Sequence, residues 1–220
     1  MRKEKVRRHI PTVPRISLVC AIALALFLAG CASPYRQGAG KFDTVIVDAG
    51  HGGHDRGARS LSGSPEKVLT LDTAQRLAAI LRDKGFRVIE TRTRDVFAPL
   101  GARTALSNSK ANCIFVSIHY NWAPRRGARG IEVYYFSPRS WRLASNILKK
   151  ATRVYPTENR GVKRNNYHVL RENRRPAVLC ELGFLSNRQD NRYAQSAQYR
   201  QRLAESVAAG IVVERQSAER

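Results

Sequence analysis

Four side chains stand where hydrolytic chemistry could be run: His51, Glu66, His119 and Glu181. From Val45 the chain reads as an apolar run that passes straight into a glycine-rich turn holding His51, flanked by Gly50, Gly52 and Gly53. The arrangement recurs from Cys113, where Ile114, Phe115, Val116, Ser117 and Ile118 lead into His119, Tyr120 and Asn121. In open α/β sheets, ligands collect beyond the carboxyl ends of strands. One histidine at a strand end is commonly structural. Two at the ends of neighbouring parallel strands would project into one crevice, and imidazole suits a bound zinc ion. A phosphate-cradling loop is the rival reading, but neither a P-loop lysine nor a dinucleotide-binding glycine spacing is present.

Catalytic zinc takes three protein groups and keeps one position open. Spacing leaves the third ligand undecided between Glu66 and His54, which is nearer to His51. Glu66 also has a plain structural reason to be there, because a carboxylate in a first helical turn favours the helix dipole. Glu181 is a lone carboxylate in the apolar run from Pro176 to Leu185. Glutamate is almost never buried unpaired, so a nearby cation and a task in proton transfer would explain it. The alternative is a strand exit with Glu181 pointing to solvent.

The elements that must position these residues follow from periodicity. Strands are expected at 43–48, 86–91, 113–119, 130–136, 166–170 and 176–182, and helices at 65–84, 99–111, 139–153 and 197–215. The first helix is expected to be capped by Ser64, to start at Pro65, to end at Gly85, and to bury Val68, Leu71, Ala74, Ala78 and Leu81 on one face. Strands alternating with helices of this length predict an α/β fold: a single mostly parallel sheet of about six strands, flanked by helices on both faces.

The 220 residues carry a net charge of +22, with 43% hydrophobic and 25% charged side chains, so the chain is globular and its surroundings are anionic. Residues 1–15 are basic and residues 16–30 uncharged and apolar, which reads as a signal peptide. Fifteen residues make about 22 Å of helix, short of the roughly 30 Å hydrocarbon core of a membrane. The apolar run closes on Leu28-Ala29-Gly30-Cys31, which resembles a lipoprotein signal and implies lipidation at Cys31. Residues 31–41 are then a lipidated cysteine and tether, with 32–41 reaching at most about 35 Å. Residues 42–215 form the catalytic domain and 216–220 a polar tail. Six basic residues and one acidic residue lie in 1–30, so the remainder keeps +17. Export makes nucleic acid an unexpected partner, and the basic surface suits anionic lipid or wall polymer. Cys113 and Cys180 lie in apolar runs and read as buried thiols, with one bridge between them left open.

Taken together, the chain from about Asp43 to Ile211 resembles the zinc-dependent N-acetylmuramoyl-L-alanine amidases that hydrolyse murein. The segments carrying the likeness are Asp48 to Ala58, Pro65-Glu66-Lys67, Thr91-Arg92 with Asp95, and Arg103 with Asn108. They continue with Ser117 to Asn121, Asn159 to Lys163, Tyr167 to Arg171 and Pro176 to Asn187. The resemblance implies one zinc ion per chain on His51, Glu66 and His119, with Glu181 as the catalytic carboxylate, and it demotes His54. It implies cleavage between N-acetylmuramic acid and L-alanine. Because the stretch after Gly130 to Tyr135 is short, it also implies an open site without the blocking helix of some periplasmic members. Ala32 and Ser33 after Cys31 resemble outer-membrane sorting, which implies the periplasmic face of that membrane. Two rivals remain, a zinc peptidase of the stem peptide and a catalytically silent peptidoglycan-binding lipoprotein.

Overall fold

In a computed structural model, residues 38–219 are described. The signal peptide, Cys31 and most of the expected tether lie outside the described residues. Six strands form one sheet in the order β2-β1-β3-β6-β4-β5. They are β1 (Thr44–Ala49), β2 (Arg87–Glu90), β3 (Cys113–Asn121), β4 (Ile131–Tyr135), β5 (Asn159–Arg164) and β6 (Ala177–Phe184). All neighbouring pairs are parallel except β4 with β6. The helices are α1 (Glu66–Asp83), α2 (Leu100–Asn108), α3 (Trp141–Ala151), α4 (His168–Arg171), α5 (Arg188–Gln195) and α6 (Ala197–Glu219). No helix among the described residues is long and apolar enough to cross a membrane.

The two sheet faces are unequal. Val45, Val47, Ile114, Val116, Val178 and Cys180 point to a thick core closed by α1, α3 and α6. Ile46, Phe115, Ala177 and Leu179 point to a thinner one, under α2 and α4. Alternation along the strands sorts them, since successive side chains leave opposite faces. Cys113 lies in the thin core and Cys180 in the thick one, and both thiols are free, so no bridge joins them.

Four expectations are corrected. Residues 166–170 are not a strand. The edge strand is the polar β5, and Val169 and Leu170 are buried by the single turn of α4. Their β-branched and aliphatic character suited either state, and tertiary packing chose the helix. Ser64 does not cap α1. The first helical N–H groups are satisfied by loop carbonyls instead, Glu66 donating to Ala58 and Lys67 to Arg56, while Ser64 turns to Gln195. Ala74, Ala78 and Leu81 are buried on α1 as expected, but Leu69, Thr73 and Leu77 complete that face in place of Val68, which is 52% exposed, and Leu71, which is only half-buried. Finally, α6 continues through Glu219, past the expected start of a tail at 216, and α5 was not foreseen. Asn187 caps α5 by accepting from the N–H groups of Gln189 and Asp190. At the other end, Ala39 is buried and its N–H donates to Glu214, so the segment is docked there.

Candidate metal centre and catalytic cleft

The chain leaves β1 into a turn in which His51 itself has φ 60°, a conformation uncommon for a non-glycine residue. Two buried arginines hold it. Arg92 donates to the carbonyls of Ala49, Gly50 and Lys67. Arg103 donates to the carbonyls of Ala49 and His51 and pairs with the Asp48 carboxylate at 2.6 Å. Asp48, buried in β1, also accepts from Ser117 and Thr91. The turn is thus tied to the segment that follows β2, to β3 and to α2 at once. Gly50 has to be glycine, because a Cβ there would stand 2.3 Å from the His119 ring.

His51, Glu66 and His119 converge, with one ligand atom from each lying within 4.8 Å of the others. The two rings meet edge to face, with centroids 4.8 Å apart. Glu66 sits between them, its Oε2 3.1 Å from His51 Nε2 and its Oε1 3.0 Å from His119 Nδ1. It also accepts the backbone N–H groups of Ala58 and Tyr120. Burial alone would raise its pKa, but the hydrogen bonds from His119 and His51 outweigh that and hold the carboxyl below the usual range. Burial likewise opposes protonation of His51, yet Glu66 and Asp55 together raise its pKa. Asp55 reaches His51 Nδ1 at 2.9 Å. His54 takes no part. It is exposed, and its ring packs on Phe97 with centroids 4.1 Å apart.

Glu181 lies on β6, in register with His119 on β3. It faces the same cavity of about 530 Å³ as the histidines, Asn121 and Tyr167. Its Oε2 is sealed from solvent with no hydrogen-bond partner among the described residues. Burial, and then the neighbouring carboxylates of Glu66 and Glu132, push its pKa well above the ordinary value. Cys180 turns away into the thick core, as alternation requires. After β4 the chain goes through the turn Pro138–Ser140 into α3 on the far face, so this stretch does not lie over the cavity.

The donor set suits a metal such as zinc. Two imidazoles and one carboxylate converge at the wall of an open cavity, which is the composition and openness a catalytic zinc site needs. Residue patterning pointed to His51, His119 and Glu181 and left Glu66 level with His54, and it did not find their supports. Asp55, Arg92 and Arg103 lie in the segments that carry the resemblance, but their contacts with His51 and its turn come from side-chain packing that residue spacing does not record. Glu132 did carry a signal, the same one as Glu181: a lone carboxylate in the apolar run Gly130 to Phe136.

Residues 45–213 match the family model described as N-acetylmuramoyl-L-alanine amidase. YqiI, an uncharacterized protein of Bacillus subtilis, is 36% identical over 192 residues, which cover 86% of this chain and 91% of YqiI. The probable cell wall amidase LytH of Staphylococcus epidermidis is 36% identical over 78% of this chain, and the match spans 58% of LytH. Among solved structures, the catalytic domain of CwlV, an N-acetylmuramoyl-L-alanine amidase from Bacillus (Paenibacillus) polymyxa var. colistinus, is 35% identical with a TM-score of 0.75. That match covers 78% of this chain and 97% of CwlV's. The N-acetylmuramoyl-L-alanine amidase AmiC2 of Nostoc punctiforme is 34% identical with a TM-score of 0.76, over 83% of this chain and all of that one. A cleft formed at the strand ends, and a sequence that follows these enzymes through the whole sheet, lead to one assignment: the chain belongs to the N-acetylmuramoyl-L-alanine amidase family of hydrolases.

Proposed function

We propose that this chain hydrolyses the amide bond between N-acetylmuramic acid and L-alanine in peptidoglycan, with one zinc ion held by His51, Glu66 and His119 and with Glu181 moving the proton. The observation that supports the reading best is the convergence of those three ligand atoms within 4.8 Å of one another, beside a carboxylate in register with His119. When bound, zinc would polarise the scissile carbonyl and acidify water toward pKa ~7.

The chain's own groups supply the rest. Asp55 keeps the His51 ring oriented, and Arg92 and Arg103 keep its loop in place. Glu181 takes a proton from the attacking water and delivers it to the departing alanine nitrogen. Burial, and then Glu66 and Glu132, raise its pKa in the metal-free chain, which favours proton capture. A nucleophilic serine or cysteine is not needed. The free thiols fit this, since burial pushes both of them up in pKa.

Peptidoglycan lies outside the cytoplasm, which agrees with the export signal read at residues 1–30. In the same reading, lipid at Cys31 holds the enzyme on a membrane, on the periplasmic face of the outer one, and the basic surface adds attraction to anionic headgroups or wall polymer. The test is digestion of purified peptidoglycan. Peptides with a free amino-terminal L-alanine should appear, should vanish after chelation, and should return with zinc. Digestion that continues undiminished after exhaustive chelation would overturn the reading.

A further inference from the structure

Asn159 to Lys163 places two cations, Arg160 and Lys163, three residues apart on β5. A regular strand would send them to opposite faces. Here the register slips. Ile131 pairs with Asn159 but Val133 pairs with Val162, so β5 holds one extra residue against β4. Gly161, at φ 90°, supplies the backbone conformation such a bulge requires. Both cations consequently reach the same group: Arg160 Nε lies 2.9 Å, and Lys163 Nζ 2.5 Å, from Oε2 of Glu132.

Glu132 is 2% exposed. Its other oxygen, Oε1, accepts from the Tyr134 hydroxyl and from Nδ2 of Asn121, each at 2.7 Å. Glu132 pairs in register with Glu181 on β6, and Glu181 pairs on its other side with His119. One row therefore crosses the sheet as His119, Glu181, Glu132. Two residues beyond His119, the Asn121 side chain spans from β3 over β6 to reach Glu132.

The Asn121 amide is fixed at both ends. Its Oδ1 accepts the Trp122 N–H at 2.7 Å, while one Nδ2 proton goes to Glu132. A primary amide has two N–H donors, so one remains. Asn121 lines the cleft beside Glu181 and His119.

We propose that Asn121 donates that remaining N–H to the carbonyl oxygen of the scissile amide, and that Glu132, anchored by Arg160 and Lys163, is the positioning residue that aims it. This rests on the amidase reading above. Asn121 would then be a donor to the oxygen on which negative charge gathers as water adds, acting from a prealigned position. The β5 bulge gains a role too, since without it only one of the two cations could hold Glu132.

Kinetics on a soluble fragment of N-acetylmuramic acid carrying its stem peptide, with zinc content and thermal midpoint measured in parallel, tests this. Asn121→Ala should lower kcat by about 100-fold, the usual effect of removing one such donor, with KM within about threefold and zinc retained. Glu132→Gln should lower kcat by about tenfold, as a small misplacement of a reacting group does. Because Glu132 acts mainly by aiming Asn121, Glu132→Gln should cost far less in the Asn121→Ala background than in the native chain, the remainder being the loss of its charge beside Glu181. Lys163→Met should repeat the Glu132→Gln effect more weakly, which keeps the test open if Asn121→Ala folds poorly. Unchanged kcat in Asn121→Ala, or single effects that simply multiply, would overturn the proposal while the amidase reading stands. A native chain that releases no alanine-terminated peptide would overturn both.

Discussion

Nδ1 of His51 lies 2.9 Å from both carboxylate oxygens of Asp55, which leaves Nε2 as the ring atom facing Glu66 at 3.1 Å. A carboxylate behind a ligating histidine fixes its tautomer and raises its basicity. Asp55→Ala should therefore weaken zinc binding by about 10- to 100-fold, read by competition with a chelator of known affinity. Unchanged affinity would mean that the arginine-braced loop alone orients the ring.

Gly50→Ala tests the packing of the centre. A methyl group there would stand 2.3 Å from the His119 ring, so the imidazole must move. Zinc content should fall sharply, while the far-ultraviolet circular dichroism of the sheet and helices stays the same. A variant that keeps full zinc would show that His119 has room to spare.

The Arg103–Asp48 pair is 3% and 1% exposed. Arg103→Met strands a buried carboxylate, which should cost about 3–5 kcal/mol in stability. Adding Asp48→Asn should recover much of that, because no charge is then left unpaired. Denaturant titration decides the matter. A loss under about 1 kcal/mol would remove the pair from the account of how the His51 loop is held.

The two buried glutamates predict opposite pH slopes in zinc-free protein. The carboxyl of Glu66 is held low by His119 and His51 despite burial, so its contribution is present above the ordinary carboxylate pKa and is lost as pH falls through the folded value. The carboxyl of Glu181 is pushed up by burial, then by Glu66 and Glu132. Its contribution is present below the ordinary pKa and is lost as pH rises toward the folded value. Glu181→Gln should remove that loss, giving a higher thermal midpoint than the native chain at pH 7 and a smaller difference near pH 4. With zinc restored, it should keep the metal yet lose hydrolysis by at least ~100-fold. Normal turnover would mean that another group moves the proton.

Membrane attachment separates two contributions. A lipid at Cys31 resists salt, whereas attraction between a basic surface and anionic headgroups is screened within about 8–10 Å at physiological ionic strength. High salt should release the Cys31→Ser protein and leave the native protein in the membrane fraction. If salt alone strips the native protein, Cys31 carries no lipid.

The sheet, its parallel core and the placement of His51 and His119 were legible because each lies where an apolar run meets a polar turn. Glu66 was not decidable from spacing, since any first-turn glutamate satisfies a helix dipole. Its carboxylate is held between the two rings by the Ala58 and Tyr120 N–H groups, turned toward it from separate segments. The β5 strand was missed for the opposite reason. Its Arg160 and Lys163 are held by one buried carboxylate on the next strand, an ion-pair network that hydrophobic periodicity does not record. Val169 and Leu170 drew the strand assignment to the wrong place, because a buried helical turn and a short strand share the same apolar residues.

The central claim is water addition to the carbonyl of the muramoyl–alanine bond, with Glu181 as the base, and it is tested most directly by oxygen labelling. Peptidoglycan digested in ¹⁸O-water and resolved by mass spectrometry should yield the lactyl carboxylate of N-acetylmuramic acid carrying one solvent oxygen. The released peptide should begin with an unlabelled, free L-alanine amine, and Glu181→Gln should give neither product at a comparable rate. Label appearing instead on a carboxyl within the stem peptide, or intact peptidoglycan after exposure to zinc-loaded protein, would contradict the account.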